Sequence, residues 1–226
     1  MKSKAGQLNH RDILLFDTES GLFPSNSVKQ FFHFLKYSGI RGHIKFAHAH
    51  DQASLHKNIN IRQNIIMESQ TQDTFGLEEE NFEAHLNKLS NKYLSRLIKR
   101  VFPLDRFPYQ LNEEERKIAV LVKALLCPCD YIFLDSPEKN LNEGNLNIFK
   151  QSLIYESYYS NKTVLITSME KDTWLDMATK VVYKTNHFEF TCQSNEQKNK
   201  KVLEFIDEYQ KKNQFQWEVV DDKKVS

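Results

Sequence analysis

The chain has 226 residues, of which 40% are apolar, 27% charged and 12% aromatic, the composition of one globular domain with at most a small appendage rather than of a disordered chain. Lys and Arg total 31 against 30 Asp and Glu, so a formal net charge of +1 gives no electrostatic reason to expect a nucleic acid or an anionic lipid surface as partner. No stretch approaches the roughly 18 consecutive apolar residues of a membrane-spanning helix, and the densest run, Ile118 to Leu126, is broken by Lys123. The start, Met1 to Lys4, lacks the apolar core of a secretory signal, and three cysteines cannot all pair within one chain, so a reduced, cytoplasmic setting is expected.

In chain order, Asp12-Ile-Leu-Leu-Phe-Asp17 reads as a buried strand closed by an acid and turn formers. Val28 to Tyr37 places Val28, Phe31, Phe32, Phe34 and Leu35 at mostly helical spacing, and Gly39 and Gly42 follow as stops. Ile44 to Ala49 fits a short strand. Ile59 to Ile66 begins with alternation, which leaves strand and helix both open. Glu78 to Val101 predicts one long helix, because Phe82, Leu86, Leu89, Tyr93 and Leu97 recur every three or four residues.

The second half alternates: helix at Glu113 to Leu126, strand at Tyr131 to Asp135, helix at Leu146 to Tyr155, strand at Thr163 to Thr167, and two further strands at Lys180 to Tyr183 and His187 to Thr191. This pattern predicts βαβ units, that is, a mostly parallel sheet covered by helices. A polar tail from Ser194 carries an amphipathic helix with Val202, Phe205, Ile206 and Tyr209 on one face.

Gln110-Leu-Asn-Glu-Glu-Glu-Arg-Lys-Ile-Ala-Val-Leu-Val-Lys-Ala-Leu-Leu126, continued by Cys127-Pro-Cys-Asp-Tyr-Ile-Phe-Leu-Asp-Ser-Pro-Glu-Lys-Asn-Leu-Asn142, resembles the signature and Walker B region of the ATP-binding cassette (ABC) ATPases. Thr163 to Glu170 resembles that family's switch strand, Ala178 to Val182 its following strand, and Ile61-Arg-Gln-Asn-Ile65 a segment after its Q-loop. The match runs over about residues 107 to 184. The resemblance implies an α/β, P-loop NTPase-like (RecA-like) fold over residues 1–193, with a helical subdomain at about 68–110 and a reduced antiparallel β subdomain, followed by a polar helix and tail at 194–226.

The motif positions depart from the family pattern one after another. Glycines let backbone N–H groups converge on a phosphate, with a Lys and a Ser or Thr completing the cradle. The aligned segment, Gly21 to Gln30, has one glycine, loses a donor at Pro24, and follows Lys29 with Gln30, so it reads as a strand-to-helix turn capped by Ser25 or Ser27. If nucleotide binds, Ser25, Ser27, Lys29, Gln30 and a Q-loop Gln52 are the candidate contacts, with Asp135 toward magnesium. Ser136 stands where the family has its catalytic Glu, and a neutral hydroxyl cannot serve as a carboxylate base.

Leu111-Asn-Glu-Glu-Glu115 replaces the signature glycines with carboxylates, which read instead as a helix start: Asn112 as N-cap, and Glu113, Glu114 and Glu115 against the helix dipole. Met169 takes the place of the switch His, and Asn142 that of the D-loop Asp. No catalytic residue and no cofactor are therefore expected, Mg-ATP being required only if a divergent active ATPase is the truth. His43, His48, His50 and His56 lack acidic or Cys partners at metal-binding spacing except Asp51, which would point the other way on a strand, and Cys127-Pro-Cys129 is not the C-x-x-C of redox or zinc sites.

The expected function is a degenerate ABC-type subunit, structural or regulatory. Its partners would be another such subunit or an integral membrane permease, without nucleic acid, and it would lie in the cytoplasm, peripheral to the inner membrane.

Overall fold

Runs of four or five apolar residues without alternation belong in strands covered on both faces, and these runs form the centre of the molecule. The computed structural model describes residues 11–17, 27–50, 55–69, 82, 84, 86, 88–185, 189–195, 202, 204, 206–208 and 211. Strands β1 (Ile13–Phe16), β2 (Phe46–Ala49), β3 (Tyr131–Asp135), β4 (Thr163–Thr167), β5 (Lys180–Lys184) and β6 (Phe190–Ser194) form one sheet in the order β2-β3-β4-β1-β5-β6. The first five run parallel, and β6 is antiparallel to β5. Among the described residues antiparallel pairing is confined to that edge.

Successive side chains pack into different layers. Ile13, Leu15, Ile132, Leu134, Val164 and Ile166 pack with the helices α2 (Ile61–Ser69), α3 (Lys92–Arg100), α4 (Glu113–Leu126) and α5 (Glu143–Tyr159). Leu14, Phe16, Phe133, Leu165 and Val182 pack with α1 (Ser27–Tyr37). On the α1 side the core is aromatic: Phe16 meets Phe31 and Phe34 edge-on at 5.0 and 5.2 Å, Phe31 lies 4.9 Å from Phe133, and Phe34 lies 5.5 Å from Phe190. Each such pair contributes about 0.5–1.5 kcal/mol beyond area burial. At the end of α1, Gly39 takes φ +87° and Ile40 N–H returns to the Leu35 carbonyl at 3.0 Å, a left-handed helix end that a side chain would strain.

The segment at Ile59–Ile66 resolves as helix. Gln63 N–H donates to Asn60 Oδ1 at 2.8 Å, and Gln63 Oε1 accepts from Asn60 N–H at 3.3 Å, a reciprocal cap for α2. Asn64, fully buried, holds the preceding loop, accepting from His56 N–H at 2.7 Å and donating to the His56 and Ile59 carbonyls.

The long helix expected from Glu78 to Val101 is instead two pieces. Positions 82, 84 and 86 are helical, Lys88 to Ser90 turn, and α3 begins anew behind Asn91. Apolar periodicity continues across the break because Phe82, Leu86, Leu94 and Leu97 all enter the same core. The break itself is fixed by a polar side chain. Asn91, 3% exposed, accepts from Leu94 N–H at 3.0 Å and donates to Ser152 Oγ at 3.0 Å and to Glu156 Oε1 at 3.0 Å on α5. Glu156 in turn pairs with Lys162 at 3.0 Å.

Two further boundaries shift. Helix α5 starts at Glu143, three residues before the expected Leu146, because Asn142 caps it; β6 is Phe190–Ser194, Thr185 N–H donates to the Glu189 carbonyl, and the expected start at His187 lies outside the described residues. The sheet thus runs through Ser194, and Asn195 Nδ2 ties back to the Leu175 and Ala178 carbonyls. In the C-terminal segment Ile206 is buried in the main core and Val202 packs beside it, while Phe205 and Tyr209 lie outside the described residues.

Replacing Asn91 with Ala removes a helix cap and leaves Glu156 short of a donor in a buried site. We expect a loss of about 2–3 kcal/mol in urea denaturation; a loss under about 0.5 kcal/mol would show that water replaces the amide there.

Candidate functional site

In a parallel α/β sheet the loops leaving the carboxyl ends of the strands gather polar groups at one edge. Here that edge carries His48 on β2 with His50 just beyond it, Asp135 at the end of β3, Thr167 at the end of β4, and Asp17 after β1. Thr167 Oγ1 donates to Asp135 Oδ1 at 3.0 Å, which joins neighbouring strand ends. Lys171, on the short helix α6 (Lys171–Leu175), pairs with Asp17 at 2.9 Å and lies 5.7 Å over the Tyr183 ring.

Ser136 directly follows Asp135 and adopts φ +44°, a left-handed conformation costing a non-glycine residue about 1 kcal/mol or more. Its backbone is held on both sides: the N–H donates to the Thr167 carbonyl at 2.8 Å, and the carbonyl accepts from buried Lys117 Nζ at 2.9 Å. Pro137 then turns the chain inward, and Glu138, 7% exposed, accepts from Ser168 Oγ at 2.7 Å and from Trp174 Nε1 at 2.8 Å. Met169, one residue past Ser168, is 85% exposed.

At the start of α4, Asn112 Oδ1 accepts from Glu115 N–H at 2.8 Å while Glu115 Oε2 accepts from Asn112 N–H at 3.0 Å, a complete capping box. Glu115 also receives Arg106 at 2.9 Å. The Arg106 contact, with the Asn112 N–H, holds Glu115 below its ordinary carboxyl value against the smaller cost of burial. Glu114 Oε1 accepts from Asn142 N–H at 2.8 Å and from Asn145 Nδ2 at 2.9 Å. Burial opposes its ionisation, yet these bonds and nearby Arg100 together outweigh burial and lower it. Leu111 is buried at the foot of the helix, and Glu113 is exposed.

Gln30, near the start of α1, is committed to the carboxyl end of β5. It is 3% exposed and accepts from the buried Lys184 Nζ at 2.8 Å, so α1 uses it to satisfy a cation whose own value burial lowers. Lys29 is exposed on the first turn of α1. Ser25 and Gln52 lie outside the described residues, as does the Ser27 side chain. Asp135, Ser136, Thr167 and Met169 are thus brought to one edge; Asn112 to Glu115 meet Asn142 beside it. Glu138, Lys171 and Thr167 were missed from sequence, because nothing in their spacing announces a partner 30 or more residues away.

No protein-family model matches the chain, and no curated protein matches it. Solved structures do. An ABC transporter in an inward-facing conformation superposes with a TM-score of 0.57 at 17% identity, over 84% of this chain and 74% of that one. The ATP-binding subunit of an ABC transporter gives 0.61 at 14% identity, over 82% and 80%. An ATP-binding cassette solved as a dimer in a post-hydrolysis state with ADP and Pi gives 0.59 at 13% identity, over 83% and 87%.

The fold is that of an ATP-binding cassette. Identities this low carry the fold alone, and the chemistry available at the edge is that of this chain's own side chains. Asp135 with Thr167 supplies oxygens suited to a hard cation such as magnesium. Among the described residues the rest of the donor set does not fit a hydrolytic Mg-ATP site. No carboxylate follows Asp135 at the edge, Glu138 is turned into the core, and the α4 terminus presents Glu113, Glu114 and Glu115 where an anion would be received. The described residues contain no group of three or more His, Cys, Asp or Glu able to hold an ion.

The histidines at the edge have a different consequence. The His48 ring lies 5.4 Å from that of His50, edge-on, and its buried Nε2 has no hydrogen-bond partner among the described residues. Burial, helped by His50 and opposed by Asp135, pushes His48 down to about 4 from 6.5. A histidine depressed on folding resists protonation only in the native state, so its stability contribution is complete above 6.5 and falls away between 6.5 and about 4. His48→Leu is therefore expected to flatten the loss of stability over that window in urea denaturation at stepped pH; an unchanged slope would assign the loss to other groups.

Proposed function

We propose that this cassette is a degenerate ABC-type subunit, a pseudo-ATPase acting as a structural or regulatory partner of an active ABC ATPase or of a membrane permease complex. The observation that carries the reading is the placement of Glu138. It is the nearest carboxylate after Asp135 in sequence that could replace the base missing at Ser136, and two buried hydrogen bonds hold it in the core. Loss of a positioned base costs about 10²- to 10⁴-fold in rate. An exposed thioether at Met169 cannot relay a proton or donate a hydrogen bond. The carboxylates of α4 add repulsion toward a polyphosphate.

The partner classes follow from the solved cassettes, one of which is a dimer and another part of a transporter. No helix among the described residues is long and apolar enough to cross a membrane, so a membrane role would run through a separate permease. We propose a cytoplasmic location, at the inner face of the membrane. The near-neutral charge supports a protein partner over nucleic acid.

The alternative is a divergent active ATPase coupled to transport, favoured by the retained Asp135–Thr167 pair. Calorimetric titration and a phosphate-release assay separate the two. We expect no Mg-ATP or Mg-ADP binding tighter than about millimolar, and no turnover from the native chain or from Ser136→Glu. Micromolar, magnesium-dependent binding with turnover in either protein would overturn the pseudo-ATPase reading in favour of the active one.

A further inference from the structure

At the opposite, amino-terminal edge of the sheet the chain passes from α4 to β3 through Cys127-Pro128-Cys129. Cys127 closes α4 with φ −61° and ψ 129°, the extended geometry that a following proline imposes. Cys129 N–H then donates to the Cys127 carbonyl at 2.9 Å. This is a three-residue hydrogen-bonded turn centred on Pro128. Such a turn folds its two ends together, which is the approach a disulfide needs, with Cα atoms about 4.4–6.8 Å apart. The thiols meet accordingly, Cys127 and Cys129 being hydrogen-bonded to each other.

Both flanks of the turn are fixed. Before it, Leu125 is buried and its carbonyl accepts from Lys162 Nζ at 2.6 Å. After it, Asp130 and Tyr131 N–H both donate to the Lys45 carbonyl, at 3.1 and 3.2 Å, and the Asp130 carbonyl accepts from Thr163 N–H at 2.9 Å. Thiols held together on a rigid frame lose little freedom on joining.

We infer that Cys127 and Cys129 form a dithiol that closes reversibly to a disulfide when the oxidant is hydrogen peroxide. Cys129 is the attacking sulfur. The Cys127 thiol, first, then the Lys162 ammonium and the Ala47 backbone lower it from its ordinary value, against burial and Asp130. Its thiolate attacks the peroxide oxygen, forming an S–O bond as the O–O bond breaks and hydroxide leaves. The Cys127 sulfur then displaces hydroxide from the sulfenic acid, forming the S–S bond. The two thiol protons join the two departing hydroxides, so two thiols and one peroxide give one disulfide and two waters. Pro128 is exposed and Cys127 only half-buried, so a small peroxide has a route in. Cys192 is the internal control, since burial pushes it up to about 11.

The test uses the full chain, brief exposure to one equivalent of hydrogen peroxide near neutral pH, unfolding in iodoacetamide, and tryptic mapping. Lys123 and Lys139 bound one peptide holding both residues. The expected peptide is unalkylated and lighter by two hydrogens, is restored by dithiothreitol, and forms at least about tenfold faster than any change at Cys192. In Cys127→Ser, Cys129 should be trapped by dimedone as sulfenic acid. A doubly alkylated wild-type peptide after oxidation, sulfinic Cys129 beside free Cys127, or equal reaction at Cys192 would each overturn the inference.

Discussion

Glu138 is the carboxylate on which the geometry of the edge depends. Its two bonds run to residues that follow β4, Ser168 at its end and Trp174 on α6, so one buried side chain fixes the turn after β3 to the turn after β4. Ser168 continues the chain of bonds by accepting from Glu170 N–H at 2.9 Å. A buried carboxylate is tolerable only when its acceptors are used, and here they are used by the scaffold. That sets the left-handed Ser136 immediately upstream, with Lys117 beneath its carbonyl, and leaves Met169 turned out to solvent. A group committed to joining two turns cannot also poise a water molecule for attack.

The same economy governs the helix ends. The N–H groups of a helix N-terminus can be met by caps, by water or by an anion. In α4 they are met by Asn112 and Glu115, and in α5 by Asn142, whose own N–H is met by Glu114 from α4. The two termini therefore satisfy each other, and the negative charge that complements their dipoles is supplied by the protein itself. A chain folded this way needs no polyphosphate to stabilise the meeting of signature-like and D-loop-like segments.

Much of this was legible in the sequence. Strands β1, β3 and β4 are unbroken apolar runs, and a run buried on both faces leaves no other reading once flanked by turn formers and helices. The substitutions at Ser136 and Met169 were visible through the resemblance alone. What stayed hidden depends on partners distant in sequence. The helix break at Asn91 is invisible to periodicity because Leu94 and Leu97 continue the apolar face, and the residues that stabilise the break, Ser152 and Glu156, lie 61 and 65 positions away. Gln30 read as a candidate nucleotide contact from its place after Lys29, but side-chain direction is decided by Lys184 on β5. Glu138 gave no signal because its partners are 30 and 36 residues downstream.

These placements also weigh against a composite role in which this chain lends its α4 terminus to a partner's nucleotide. To receive a phosphate there, Asn112 would have to release Glu115, Glu115 would have to leave Arg106, and the exposed Glu113 would still face the anion. Each lost cap or charge-assisted bond costs about 1 kcal/mol or more, and the repulsion from Glu113 remains after all of them are broken. Contacts that already occupy the α4 terminus and oppose the arrival of an anion weigh against its use as a phosphate site.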